Sequence, residues 1–184
     1  MAKGKFIVLE GIDGSGKATQ TLLLSQKLEN DGFKVKFINF PQYGQKSAGM
    51  IENYLRDQKY GNNGDTTPHQ ASLFFAMDRF DAKKQIEDWL KKGKTVLCDR
   101  YVVSNLAHQG CKIEDDEERE KFFQWVEDLE YNILKIPKPD INILLKIEPE
   151  KGQFLAKRDS KKKDLHEDDL NHLKAAAQIY TDLA

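Results

Sequence analysis

The run Gly11-Ile12-Asp13-Gly14-Ser15-Gly16-Lys17 has the residue types and spacing needed to hold a chain of phosphates. Glycines let the backbone curl until successive N–H groups point at one spot. A helix starting there adds the positive end of its dipole, and a lysine reaches the outer phosphates. Ala18 and Thr19 follow. Ala18 stands where a Ser or Thr hydroxyl ordinarily helps to hold magnesium, and Thr19 is one residue late for that task. Either water and carboxylates elsewhere hold the metal, or the chain binds nucleotide without turning it over.

Three further groups could do chemistry. Asp99 follows an apolar run, the place where phosphate-loop enzymes keep a magnesium-holding carboxylate, and Arg100 beside it offers a planar fork of donors to a second phosphate. Phe75 and Arg79 are four residues apart and share a helical face. A ring and a guanidinium so placed suit a base and its carbonyl edge, although spacing alone fits core packing and a solvated arginine better. Lys157, Arg158 and Lys161-Lys162-Lys163 form either a solvated basic patch or a clamp over a transferring phosphoryl group.

Strands and helices that would position these residues alternate along the chain. The apolar run Phe6-Ile7-Val8-Leu9 reads as a buried strand ending at Glu10. The helix after the phosphate loop carries Leu22, Leu23, Leu24 and Leu28 and stops at Gly32. A second strand spans 34–40, up to Pro41, and a short helix spans 47–56. A loop occupies 61–65. Thr67-Pro68 caps a long helix that ends at Gly93. The third strand is 95–98. Helices at about 103–110 and 117–134, a fourth strand at 141–147, a helix from about 149 and another at about 166–183 complete the pattern. The acidic run 114–118 reads as a solvated helix start. Such alternation implies one parallel three-layer α/β domain over 1–184, with ligands at the carboxyl ends of the strands.

Composition narrows the partners. The chain has 184 residues, 32% of them charged, with a net charge of −1, so neither a basic field for nucleic acid nor an acidic tail is present. Lys3 and Lys5 lead straight into a short strand, and no apolar run approaches the roughly twenty residues of a membrane span, which points to the cytoplasm. Two cysteines are too few for a disulfide framework, and His166, Glu167 and His172 miss the zinc-helix spacing.

Taken together, these residues resemble the thymidylate kinase family, phosphate-loop nucleoside monophosphate kinases that make dTDP from dTMP and ATP. The likeness rests on Glu10 to Lys17, Phe40-Pro41-Gln42-Tyr43-Gly44, Phe75-Ala76-Met77-Asp78-Arg79, Asp99-Arg100-Tyr101 with Ser104, Asn105 and Gln109, and Pro137-Lys138-Pro139-Asp140. The order and spacing of these segments make it specific.

The resemblance implies that residues 11–19 (Gly11, Ile12, Asp13, Gly14, Ser15, Gly16, Lys17, Ala18, Thr19) hold ATP. It places Asp13 by the dTMP sugar and phosphate, with Phe40, Pro41 and Tyr43 lining the acceptor pocket. Phe75 would stack on thymine and Arg79 would bond its carbonyl, with Ser104, Asn105 and Gln109 nearby. Arg100 would bridge the two phosphates and Asp99 would hold Mg2+. A lid at about 157–167 would supply Arg158 as phosphate clamp and bring Asp164 and Glu167 toward the acceptor. Asp13, Lys17, Arg100 and Arg158 are the expected catalytic set. Some members carry an arginine in the phosphate loop, at a position filled here by Gly14 or Ser15, so the lid is expected to provide that charge.

His108 stands where an aromatic ring commonly meets the deoxyribose. The family pattern continues past Ala184 with a fifth strand and a last helix, so four strands and a weakly selective adenine site are expected. A homodimer through the helix that holds Phe75 is also implied. Two alternatives to the family activity are a deoxynucleoside kinase and a catalytically impaired nucleotide-binding fragment.

Overall fold

A computed structural model describes residues 3–56, 59–60, 65–159 and 169–184. Its centre is a parallel four-stranded sheet in the order β2-β3-β1-β4, built from β1 (Phe6–Glu10), β2 (Val35–Asn39), β3 (Thr95–Asp99) and β4 (Ile141–Leu144). Val8 pairs with Cys98 on one side and Asn142 on the other, so β1 is interior and its apolar run is buried as the sequence requires. The strand expected over 141–147 is shorter: pairing stops at Leu144, after which Leu145 N donates one more bond to Glu10 O at 2.9 Å. β4 is an exposed edge rather than a buried strand, with Ile141 about half exposed.

Helix α1 (Lys17–Asn30) packs on β1, β2 and β3. Leu22 and Leu23, which the apolar pattern assigns to a packed face, lie on its exposed side. After a 3-10 turn at Lys46–Ala48 comes the short α2 (Gly49–Leu55). Thr67 caps α3 (Pro68–Lys91) in a capping box: its hydroxyl accepts from Gln70 N and its own N–H donates to the Gln70 side chain. Helix α4 (Val102–Gly110) contacts α3, α5 (Asp116–Glu127) and α7 (Leu170–Asp182). The helix expected over 117–134 is instead α5 followed by a π turn at Asp128–Ile133. Helix α6 (Pro149–Asp159) follows β4. The stretch 160–168, which holds most of the expected lid and the start of the expected last helix, lies outside the described residues.

The main core joins β1 and β3 to α3, α4 and α5 through Phe6, Val8, Val96, Tyr101, Ile86 and Phe122. Phe6 and Tyr101 meet edge to face at 5.0 Å. A second cluster of Ala107, Leu173, Ala176 and Tyr180 fixes α7 against α4. Together they bring the ends of β1, β2 and β3 to one rim.

Candidate active site

A cavity of about 580 Å3 opens at that rim. From the loop after β1 it receives Asp13, Gly14, Gly16, Lys17, Ala18 and Thr19, and from the segment after β2 it receives Phe40, Pro41 and Tyr43. Asp99 ends β3 and Arg100 follows it, Phe75 and Arg79 project from α3, Ser104, Asn105 and Gln109 from α4, and Arg158 from α6. Nearly every residue singled out from the sequence therefore lines one space. Gly11, Ile12 and Ser15 of the phosphate loop are not part of that lining, and Gly11 and Ile12 are buried. Lys161, Lys162, Lys163, Asp164 and Glu167 lie outside the described residues.

Lys17 is buried beneath its own loop, its Nζ donating to Gly11 O at 2.9 Å and Ile12 O at 2.8 Å. Burial, reinforced by the nearby Arg100 charge, lowers its pKa to about 8, with Asp13, Asp99 and Glu10 pulling the other way. An incoming anionic phosphate favours the charged ammonium, so the lysine of the complex titrates higher than that of the free enzyme. The kcat/KM for ATP is therefore expected to be level below pH 8 and to fall about tenfold per pH unit above it. Initial rates from pH 7 to 9.5 at subsaturating ATP check this; a flat profile would contradict the buried, self-bonded lysine.

Arg100 has φ 67°, left-handed for a residue with a side chain, a strain of about 1 kcal/mol that the surroundings must hold. They do so at several points. Its Nη2 donates to Asp13 Oδ1 at 2.5 Å, and its Nη1 lies 3.2 Å from Gly11 O and 3.1 Å from His108 Nε2. Burial acts most strongly, against the guanidinium charge, but Asp13, Tyr180, Asp99 and Glu10 together outweigh it and hold the pKa above the usual arginine range. Because arginine only donates, His108 Nε2 is the acceptor and its proton sits on Nδ1.

Several residues that position this site were given no role by the sequence reading, although Glu10 and Asp78 fall within the segments that carry the resemblance. Glu10, at the end of β1, accepts from Tyr101 N at 2.9 Å, Ser104 Oγ at 2.5 Å and Ser104 N at 3.3 Å, serving the start of α4 where no local side chain caps it. Burial raises its pKa, and the bonds from Ser104 and Tyr101 and the Arg100 charge oppose the rise. Asp78, buried on α3, accepts from Gln42 N at 2.8 Å and Ser47 Oγ at 2.6 Å and thereby ties the loop after the cis Phe40-Pro41 bond to the helix that bears Phe75 and Arg79. Glu130 meets Arg79, with Nε to Oε2 at 2.6 Å and Nη2 to Oε1 at 2.5 Å.

Phe75 satisfies both readings left open by its spacing. Its ring packs edge to face against Tyr54 at 6.4 Å and also lines the cavity. Three of the lining residues also carry buried polar atoms with no hydrogen-bond partner among the described residues: Asp99 Oδ1, Asn105 Oδ1 and both amide atoms of Gln109. Such atoms cost free energy unless a ligand satisfies them.

Where α6 begins, its backbone meets the phosphate loop directly. A Cβ on Gly14, which has φ 74°, would lie 1.9 Å from Gly152 O, and one on Gly152 would lie 2.7 Å from Asp13 O.

Comparison with known proteins agrees with this geometry. The family model "Thymidylate kinase" matches residues 9–184. The thymidylate kinase of Mycobacterium tuberculosis is 31% identical over 185 residues, covering 97% of this chain and 85% of that protein. A probable thymidylate kinase of Pyrococcus horikoshii is 34% identical over 149 residues, 78% of this chain and 65% of its own length. The solved thymidylate kinase of Candida albicans superposes with a TM-score of 0.79 at 25% identity, covering all of this chain and 79% of the other. A parallel sheet with a phosphate loop after its first strand, and relatedness along nearly the whole chain, place this protein in the thymidylate kinase family.

Proposed function

We propose that the chain transfers the γ-phosphoryl group of ATP to dTMP, giving dTDP and ADP. One observation carries this reading: a single cavity is lined by the phosphate-loop lysine, by the paired Arg100 and Asp13, and by the side-chain amides of Asn105 and Gln109, whose buried atoms lack partners among the described residues. ATP phosphates displace the Gly11 and Ile12 carbonyls from Lys17, and the acceptor base enters beside Phe75. Arg79, Asn105 and Gln109 meet its polar edge. Arg100 releases part of its bonding to Asp13 and spans the donor and acceptor phosphates, while Arg158 approaches from α6. Little covalent work is needed, because alignment, exclusion of water and neutralisation of developing charge lower the barrier.

Magnesium fits at Asp99, whose Oδ1 is buried and unpartnered, a poor arrangement for a carboxylate with no cation beside it. When bound, the ion neutralises phosphate charge. Ala18 contributes no hydroxyl, so the chain's own share of the metal site falls to Asp99.

The reading is tested by ADP release from magnesium-ATP with dTMP, thymidine, dUMP or no acceptor. Turnover with dTMP well above that with thymidine is expected. Preference for thymidine would favour a deoxynucleoside kinase, and silence with every acceptor despite dTMP-induced thermal stabilisation would favour an impaired fragment. Neither alternative is favoured by the geometry, since Asp13 is engaged with Arg100 at the phosphate crossing.

The assembly proposed is a homodimer through α3, where Leu73, Met77 and Phe80 are exposed along one stripe. Sedimentation that gives a monomer at micromolar concentration would exclude it. Among the described residues no helix is long and apolar enough to cross a membrane, and the proposed location is the cytoplasm, where ATP and dTMP are found.

A further inference from the structure

Glu130 is wholly buried and continues the stripe of Phe122 and Val126 into the π turn. A carboxylate there needs donors, and it receives Arg79 through two bonds and Asn105 Nδ2 at 3.3 Å. The other neighbour of Asn105 Nδ2 is Ser72 O at 3.4 Å. Both neighbours are acceptors only, which fixes the amide: the NH2 group faces Glu130 and Ser72, and Oδ1 is left as the buried, unpartnered acceptor. Arg79, meanwhile, spends its Nε and one side of Nη2 on Glu130 and reaches Tyr101 O at 3.4 Å, which leaves donors on its terminal nitrogens, and it lines the cavity.

We propose that Glu130 sets the base selection of the site. As an acceptor-only group it orients Arg79 as donor and Asn105 as acceptor, a pair that takes the O4 and N3–H edge of thymine or uracil. Cytosine offers the opposite polarity at those two positions, an amino donor and a bare ring nitrogen, and is rejected. Glu130 touches no substrate in this scheme and is a positioning residue. The proposal rests on the reading above, in which Arg79 and Asn105 face the acceptor base.

The test compares kcat/KM for dTMP and dCMP in the full chain, with calorimetric binding of each nucleotide in parallel. In Glu130→Gln the new amide can donate to Asn105 Oδ1, so the asparagine is no longer held in one orientation. The expected result is a tenfold or larger fall in the dTMP-to-dCMP ratio, carried by KM and binding for dTMP, with the KM for ATP unchanged. Equal losses for both nucleotides would show a merely structural role and overturn the proposal. Should Glu130→Gln fail to fold, Glu130→Asp carries the comparison: it keeps the charge beside Arg79 but shortens the reach, and an undiminished ratio overturns the proposal equally. Arg79→Met separates the two levels. If it too leaves the ratio intact, the placement of the base is wrong; if it collapses the ratio while the Glu130 variants do not, only the role of Glu130 fails.

Discussion

Lys17→Ala is expected to lower magnesium-ATP-dependent turnover with dTMP by about a thousandfold or more, while dTMP still raises the melting temperature. The ammonium is buried and bound to two carbonyls of its own loop, at 2.9 Å to Gly11 O and 2.8 Å to Ile12 O. It is thus held at the loop before ATP arrives, and on binding it has only to exchange those carbonyls for phosphate oxygens. Alanine removes the charge that meets the outer phosphates and leaves the acceptor half, formed by Phe75, Arg79, Asn105 and Gln109, in place. Measured kcat and a melting curve with dTMP decide the matter together. A variant that retains a tenth of its turnover would mean that the phosphate loop is not the donor site, and loss of dTMP stabilisation would mean that the two halves are not separable.

Arg100→Met is expected to cost about three orders of magnitude in kcat and to raise the KM for dTMP as well, with Arg100→Lys recovering little of either. The reason lies in the number of partners held by one planar fork. Arg100 reaches Asp13 Oδ1 at 2.5 Å, His108 Nε2 at 3.1 Å and Gly11 O at 3.2 Å, so its guanidinium is set between the phosphate loop and α4 before substrate binds. Lysine offers a single point charge on a flexible stem and cannot occupy those directions together. Steady-state kinetics on both variants test the claim. A Lys variant within tenfold of the parent would show that net charge suffices and that the fork geometry does not matter.

The phosphate loop and Asp99-Arg100 were legible because each sits at the end of an apolar strand, and the chemistry of such positions is fixed by fold class. Arg79 was only half legible. Its helical spacing from Phe75 is compatible with a solvated side chain, and the resemblance rather than the spacing assigned it to the site. What decides its state is Glu130, fifty-one residues away in sequence. A signal did exist there: Glu130 falls four residues after Val126 on an otherwise apolar stripe, and a carboxylate on such a stripe requires a buried partner. Asp78 and Glu10 carry the same mark, acids placed among core residues. The exposed Leu22 and Leu23 show the reverse, since apolar periodicity marks a helix without saying whether anything covers that face. The short β4 reflects edge placement, where one face of pairing is missing and alternation cannot be read as burial.

The backbone contact between Gly14 and Gly152 gives α6 the character of a cantilever. It is anchored on the phosphate loop at its foot, and near its far end Arg158 overhangs the cavity. Residue 14 is thereby chosen from outside the loop. A side chain there would have to unseat the helix, so of the two positions at which a loop arginine could stand, residue 14 has no berth for one.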